Sequence, residues 1–403
     1  MTGTGSDPAA PEPVIGLIGG YGDVGGHAAR FLHRLGGHRL RIGGRDLGAA
    51  RRFVRDELHG EAEAAAVDCL DDGTLDRFAA GCRVLVNCAG PYRLIGDRVA
   101  RAAARAGAHY VDAGGDDALH RLLDADPAED PAREAAGDPA MDTAGEPAGD
   151  TAAPGRAVVL SAGLRPGLTG LLPRWAARGF DQVRSLTACL AVLDRFTRTT
   201  ADDYLRGADD GVSEPLAAWR DGPRPRTLTR RTGVTLPFLP AEATLLPYLD
   251  TEAVRLAAAL GLSHGDWHTA VVGEHVRVAF DRVHALDREQ AVTALCDAAR
   301  LDAAGRTPFA VYLAQLDGVL EGAPASRTVL CRGPGNGELT GAITALAAVA
   351  AARGEIPPGL HFAADVLDPA TTLDRLRTGP VPITLSLLDT TLDRLSLIEE
   401  GAL

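Results

Sequence analysis

Six residues near the amino terminus, Gly20-Tyr21-Gly22-Asp23-Val24-Gly25, have the types and spacing of an anion-binding turn. They follow a short apolar run, residues 14–18, and lead into a stretch with helical periodicity, 26–35. Glycines allow a sharp turn and close approach to a diphosphate, and the first amides of a helix point unpaired toward it. The arrangement predicts a dinucleotide seated on Gly20, Tyr21, Gly22, Asp23, Val24 and Gly25.

The end of the next strand, 39–42, selects between coenzymes. An acidic side chain there accepts from a ribose 2′-hydroxyl, whereas a cation meets a 2′-phosphate. This chain reads Arg41-Ile42-Gly43-Gly44-Arg45-Asp46. Gly44 leaves room, Arg45 supplies a permanently charged fork, and Arg51 and Arg52 follow one to two turns on. Asp46 either meets the coenzyme or caps the following helix, and its position just before that helix favours the cap. The expected coenzyme is NADP(H). Asp68 and Cys69 end a third strand and are placed to flank the adenine. Asn87-Cys88-Ala89-Gly90-Pro91 ends a fourth with small residues that let a coenzyme pass, although Asn87 serves equally as a turn cap. Gly114, within Tyr110 to Asp116 after the fifth, falls where ligands lie in open parallel sheets.

Hydride chemistry also needs a proton donor. The sequence contains no lysine, so all 41 Lys-plus-Arg positions are arginine and no side-chain amine is available for a Schiff base. Tyr204 is the first candidate donor, Tyr92 the second, and Asp194 or Arg195 a group that orients the substrate. The same segment also reads as a solvated helix start capped by Thr199 or Thr200. The histidines lack metal-ligand spacing, and the six cysteines form no CxxC pair, so no metal is expected. The arginines within 224–231 read either as a solvated strand face, the favoured reading, or as a contact for an anionic substrate or carrier.

The elements that position these residues alternate. Strands are expected at 14–18, 39–42, 64–67, 83–87, 109–112 and 157–161, with helices at 26–35, 46–58 and 97–106. That rhythm specifies an α/β, doubly wound parallel sheet of Rossmann type. Beyond Pro166 the runs 183–193, 227–236, 271–280, 309–316 and 326–331 read as strands, and 251–260, 287–300 and 338–353 as helices. These form a second, α+β domain with a mostly antiparallel sheet. The organisation is a flexible tail at 1–12, a dinucleotide-binding domain at 13–170 and a substrate or dimerisation domain at 171–335. A C-terminal segment, 336–403, packs back toward the first domain. Within 124–155 an acidic, low-complexity insertion has too few large apolar residues to offset the entropy of ordering. It carries much of the formal net charge of −13. That acidity argues against nucleic acid, no apolar run is long enough for a membrane span, and the first residues lack a signal peptide. The chain is expected in the cytoplasm.

GGYGDVG, IGGRD, VNCAGPY and HYVDAGGD, in this order, resemble the motifs of the saccharopine dehydrogenase-like reductases, and Ser161 to Leu168 resembles that family's crossover. The likeness covers about residues 14–172. Gly115-Asp116 stands where the family has Gly-Glu, and Gly114 where it has Ser or Thr. The resemblance implies an NADP-dependent two-domain fold, a homodimer through the second sheet, and a small or carrier-protein-bound substrate. It favours C=N reduction by a tailoring imine reductase of the thiazolinyl type, in siderophore or other peptide natural-product assembly. A saccharopine-type amino-acid dehydrogenase and a trans-acting enoyl reductase are the alternatives.

Overall fold

The computed structural model describes residues 13–125, 155–209 and 212–395. The expected tail and nearly all of the acidic insertion lie outside these residues. The first sheet is all-parallel. Its strands are β1 Val14–Ile18, β2 Arg39–Gly44, β3 Ala62–Ala66, β4 Cys82–Asn87, β5 His109–Asp112 and β6 Ala157–Leu160. The order across it is β16-β6-β5-β4-β1-β2-β3, where the seventh strand, β16 Gly359–Phe362, comes from far down the chain. β1 is buried on both faces, as central parallel strands are. Helices α1 Asp23–Leu35, α2 Leu47–Glu57, α3 Asp72–Ala79, α4 Tyr92–Ile95, α5 Arg98–Arg105 and α6 Asp117–Asp124 follow the strands in turn. The sheet register brings Ile18, Gly43 and Asn87 to a common edge, with Asp112 opposite Asn87.

After β6 the chain crosses over and forms α7 Leu168–Ala176 and the long central strand β7 Phe180–Leu193 of a ten-stranded mixed sheet. Helix α8 Arg198–Asp209 follows, then β8 Ser213–Pro215, β9 Ala218–Arg220, β10 Pro223–Arg224, β11 Arg231–Val234, β12 Ala243–Asp250, α9 Thr251–Leu260 and β13 His264–Val271. Helices α10 Glu274–Arg282 and α11 Arg288–Ala303 precede the hairpin β14 Phe309–Leu320 and β15 Ala323–Gly333. Among the described residues of this sheet, β7 and β13 pair in parallel and the other ladders are antiparallel.

One sequence expectation fails here. Residues 271–280 read as a strand because Val276, Val278 and Phe280 recur at every second position, but 274–282 is α10. The buried carboxylate of Asp302 accepts from the amides of His275 (3.1 Å) and Val276 (2.8 Å), which caps the helix start and decides the conformation. The C-terminal segment also serves both sheets. Helix α12 Asn336–Ala352 is buried on nearly every side and packs on α1, β4 and β5, and β16 extends the first sheet. Two further helices, α13 Ala363–Val366 and α14 Pro369–Thr378, lead to β17 Thr384–Leu388, which pairs with β15 of the second sheet. No helix among the described residues is long and apolar enough to cross a membrane.

Candidate active site

The turn after β1 is built around contacts that only glycine allows. Gly19 has φ +72°, and the Gly22 amide donates to the Gly19 carbonyl at 2.9 Å. A β-carbon on Gly25 would stand 2.2 Å from that same carbonyl oxygen. Gly22 stands at the N-cap of α1 and brings no side-chain cap, so the helix's first amides are left for a ligand. Helix α12 begins alongside: a β-carbon on Gly337 would meet the Asp23 carboxylate at 3.1 Å, and one on Gly341 the Ala28 amide at 2.7 Å. Two helix N-termini therefore converge on one place. Asp194, expected to orient a substrate, instead accepts from the Asn336 amide at 2.8 Å and the Arg195 amide at 2.7 Å, at the start of α12. Burial holds the Asp23 carboxyl above its ordinary range; His27 opposes this, and Asp194 and Glu338 add to it.

At the end of β2 the Tyr21 ring lies across Gly44, where a β-carbon would stand 2.5 Å from it, and its hydroxyl accepts from the Asp46 amide at 3.0 Å. Asp46 caps α2 through the Ala49 amide at 2.9 Å and lies 3.9 Å from Arg52. Arg45 is exposed, with no ion-pair partner among the described residues. Its charge reaches Cys69, whose thiol burial pushes up to about 11 against the pull of Arg45. Asp68 turns its carboxylate onto the Leu70 amide at 3.0 Å. The exposed cation and the occupied acid match the sequence logic for a 2′-phosphate.

The carboxyl ends of β4 and β5 are tied together by a group the sequence reading did not single out. Buried Asp112 accepts from Tyr110 Oη (2.5 Å), Asn87 Nδ2 (3.0 Å), and the amides of Gly114 (3.0 Å) and Gly115 (2.8 Å). Burial raises its pKa, and these four donors pull it back. Asn87 in turn accepts from the Ala89 amide at 3.1 Å, fixing the start of the Cys88-Ala89-Gly90-Pro91 loop. A usable signal was present: an acid inside a strand buried on both faces requires donors, and Asn87 sits opposite it in register.

Tyr92 reaches this edge from α4, and Tyr204 stands on α8, whose first turn packs on the loop after β4. The Tyr92 phenol lies against Gly114, and Thr199 of α8 presses on Gly90, where a β-carbon would stand 2.5 Å from its methyl. Helix α8 thus closes over the loop after β4. Thr197 rather than Thr199 or Thr200 caps it, accepting from the Thr200 amide at 3.1 Å. Tyr204 stands on α8 between Phe196 and Phe280, with ring centroids 6.3 and 5.0 Å away, and remains 40 % exposed. Burial raises the pKa of both phenols, in Tyr92 with reinforcement from Asp112 and in Tyr204 against Arg165. Both are therefore protonated donors near neutral pH. From the crossover, Arg165 reaches the second sheet, with Nε 3.2 Å from Asp250 and the guanidinium 3.5 Å over the Tyr248 ring.

Residues 15–137 match the family model described as saccharopine dehydrogenase NADP binding domain. The matched stretch is similar to that domain and contains the glycine turn, Arg45 and the loop after β4. Among solved structures, saccharopine dehydrogenase (L-Glu forming) from Saccharomyces cerevisiae is similar over 93% of this chain and 100% of its own, with a TM-score of 0.60 and 13% identity. At that identity the likeness speaks for the fold. The diaminopimelate (DAP) dehydrogenase of C. glutamicum aligns over 91% of this chain and 98% of its own, at 15% identity and a TM-score of 0.44. No curated protein sequence matches the chain.

The cofactor is NADP(H), and the chain is an NADP-dependent oxidoreductase. The residues present fit it. Gly25 leaves the close approach that a diphosphate needs, and Arg45 offers an unpaired charge for the additional phosphate. When bound, the coenzyme supplies or accepts a hydride. At the edge where such ligands lie, the chain contributes a rigid loop held by Asp112 and Asn87 and the protonated phenol of Tyr92.

Proposed function

We propose that this protein uses NADPH to reduce a C=N bond. The observation that supports the reading most directly is the protonated Tyr92 phenol against Gly114, in a chain without lysine, with a second protonated phenol, Tyr204, on the helix that packs on the loop after β4. An imine reduction needs only a hydride on carbon and a proton on nitrogen, with no amine to condense with a carbonyl. In this reading Tyr204 gives the proton and Tyr92 holds the acceptor; water then returns a proton to the Tyr204 oxygen. The products are an amine and NADP+.

Two substrate classes fall within this reading. One is a carrier-bound thiazoline, as in siderophore or other peptide natural-product tailoring. The other is an imine derived from an amino acid, which the fold likeness to an L-Glu-forming saccharopine dehydrogenase supports. The reading includes a homodimer, which the elution volume in size-exclusion chromatography tests. Loss of NADPH absorbance with a cyclic imine, and none with an enoyl thioester, is the expected outcome. Turnover of the enoyl thioester alone would replace this reading with C=C reduction, and NADPH binding without turnover of either would replace it with a non-catalytic one.

A further inference from the structure

Tyr21 is the aromatic residue of the glycine turn, and its side chain reaches the neighbouring turn after β2. Two hydrogen bonds join the two turns. The Gly20 amide donates to the Gly43 carbonyl at 3.1 Å, and the Asp46 amide donates to the Tyr21 hydroxyl at 3.0 Å. Between them the ring crosses Gly44, where a β-carbon would stand 2.5 Å from the phenol oxygen. The ring also packs against the core, so the half-buried side chain is held at both its ring and its oxygen.

An acid at the end of β2 would accept from a ribose 2′-hydroxyl, and here that place is closed. Residue 44 ends β2, and the Tyr21 ring leaves no room there for a side chain. The next acid, Asp46, commits Oδ1 to the Ala49 amide at 2.9 Å, and its Oδ2 lies 3.9 Å from Arg52. What remains is Arg45, exposed and without an ion-pair partner among the described residues, and the phenol oxygen on the amide that follows it.

A hydroxyl has one proton to donate and two lone pairs. The Asp46 amide takes one lone pair of Tyr21, and no described residue accepts its proton. Accepting one hydrogen bond strengthens the one that the same hydroxyl donates. A phosphate monoester carries a charge of about −1.5 to −2 and three acceptor oxygens, more than one guanidinium fills.

We propose that the Tyr21 hydroxyl donates to the 2′-phosphate of NADP(H) and, with Arg45, selects this coenzyme over NAD(H). The glycine turn then recognises the additional phosphate as well as the diphosphate. The assignment is independent of which bond the coenzyme reduces.

Calorimetric titration of NADP+ and NAD+ into the full-length protein tests it. Tyr21→Phe keeps the ring over Gly44 and removes only the oxygen. It should weaken NADP+ binding at least about tenfold, the loss expected for a hydrogen bond to a charged group, and leave NAD+ binding unchanged. Equal losses for both coenzymes, as a merely structural phenol would give, overturn the assignment, and so does an unchanged NADP+ affinity. A second measurement needs no variant. With the six tyrosines isotope-labelled at Cζ, one wild-type NMR signal should differ between the NADP+ and NAD+ complexes, each at saturation. Tyrosine signals that are the same in the two complexes overturn the assignment.

Discussion

The phenol of Tyr92 crosses Gly114 so closely that a β-carbon on residue 114 would stand 2.2 Å from its oxygen. The tyrosine after β4 and the glycine after β5 therefore depend on each other. Gly114→Ala should displace the ring, destabilise the fold by about 1–3 kcal/mol through overpacking and lower turnover about tenfold. Thermal melts of Gly114→Ala, Tyr92→Ala and the double variant check this. If adding Tyr92→Ala does not relieve the cost of Gly114→Ala, the two positions are not coupled.

Gly25→Ala should weaken NADPH binding at least about thirtyfold, because the turn must open by an amount costing roughly 2 kcal/mol. Fluorescence titration of NADPH reads it directly. Unchanged affinity would show that the coenzyme does not use this turn.

Arg45→Ala should weaken NADPH by about thirtyfold, the value of a hydrogen-bonded charge, and leave NADH binding as it was. Parallel losses for both coenzymes would remove the 2′-phosphate assignment.

Tyr204→Phe should lower kcat about a hundredfold with little change in KM, the usual scale for a lost general acid. Single-turnover measurements across pH give the answer. A loss in KM alone would make Tyr204 a binding residue.

Glu252 gives a pH prediction. Its carboxyl is buried and accepts from the Gly167 amide at 2.5 Å and from Thr169 at 2.6 Å, and burial is the chief cause raising its pKa from 4.5 to about 7. Between those values the folded chain holds a proton that the unfolded chain has released. The contribution of this group is therefore full at pH 4.5 and below, and declines as pH rises through about 7. Glu252→Gln should abolish that decline, so the stability difference between variant and wild type grows in the variant's favour from pH 4.5 to pH 8 in urea titrations. A difference independent of pH would sink the idea.

Local signals made part of this molecule legible. The glycine turn, the strands feeding it and Asp46 as a helix cap each depend on residues close in sequence. What escaped depends on pairings across long separations. Asp112 acquires meaning only once Asn87 is its neighbour, 25 positions earlier. Arg165 is an unremarked residue in a loop until Asp250, Thr269 and Tyr248 surround it. The strand expected at 271–280 failed because Asp302 supplies its cap from another helix, and a period of two was indistinguishable from one helical face over so short a run. Helix α12 was foreseen as a helix in a segment returning toward the first domain, but its seat beside α1 depends on Gly337 and Gly341 meeting Asp23 and Ala28, more than 300 positions earlier.

That placement of α12 and β16 bears on how the polypeptide acquires its shape. The amino-terminal parallel sheet lacks one edge strand and a buried supporting helix until residues 336–362 have emerged from the ribosome. An isolated amino-terminal fragment would expose the face of α1, and of β4 and β5, that α12 covers. Maturation must accordingly wait for the latter part of translation, and the interval before then is when chaperones would have most to protect.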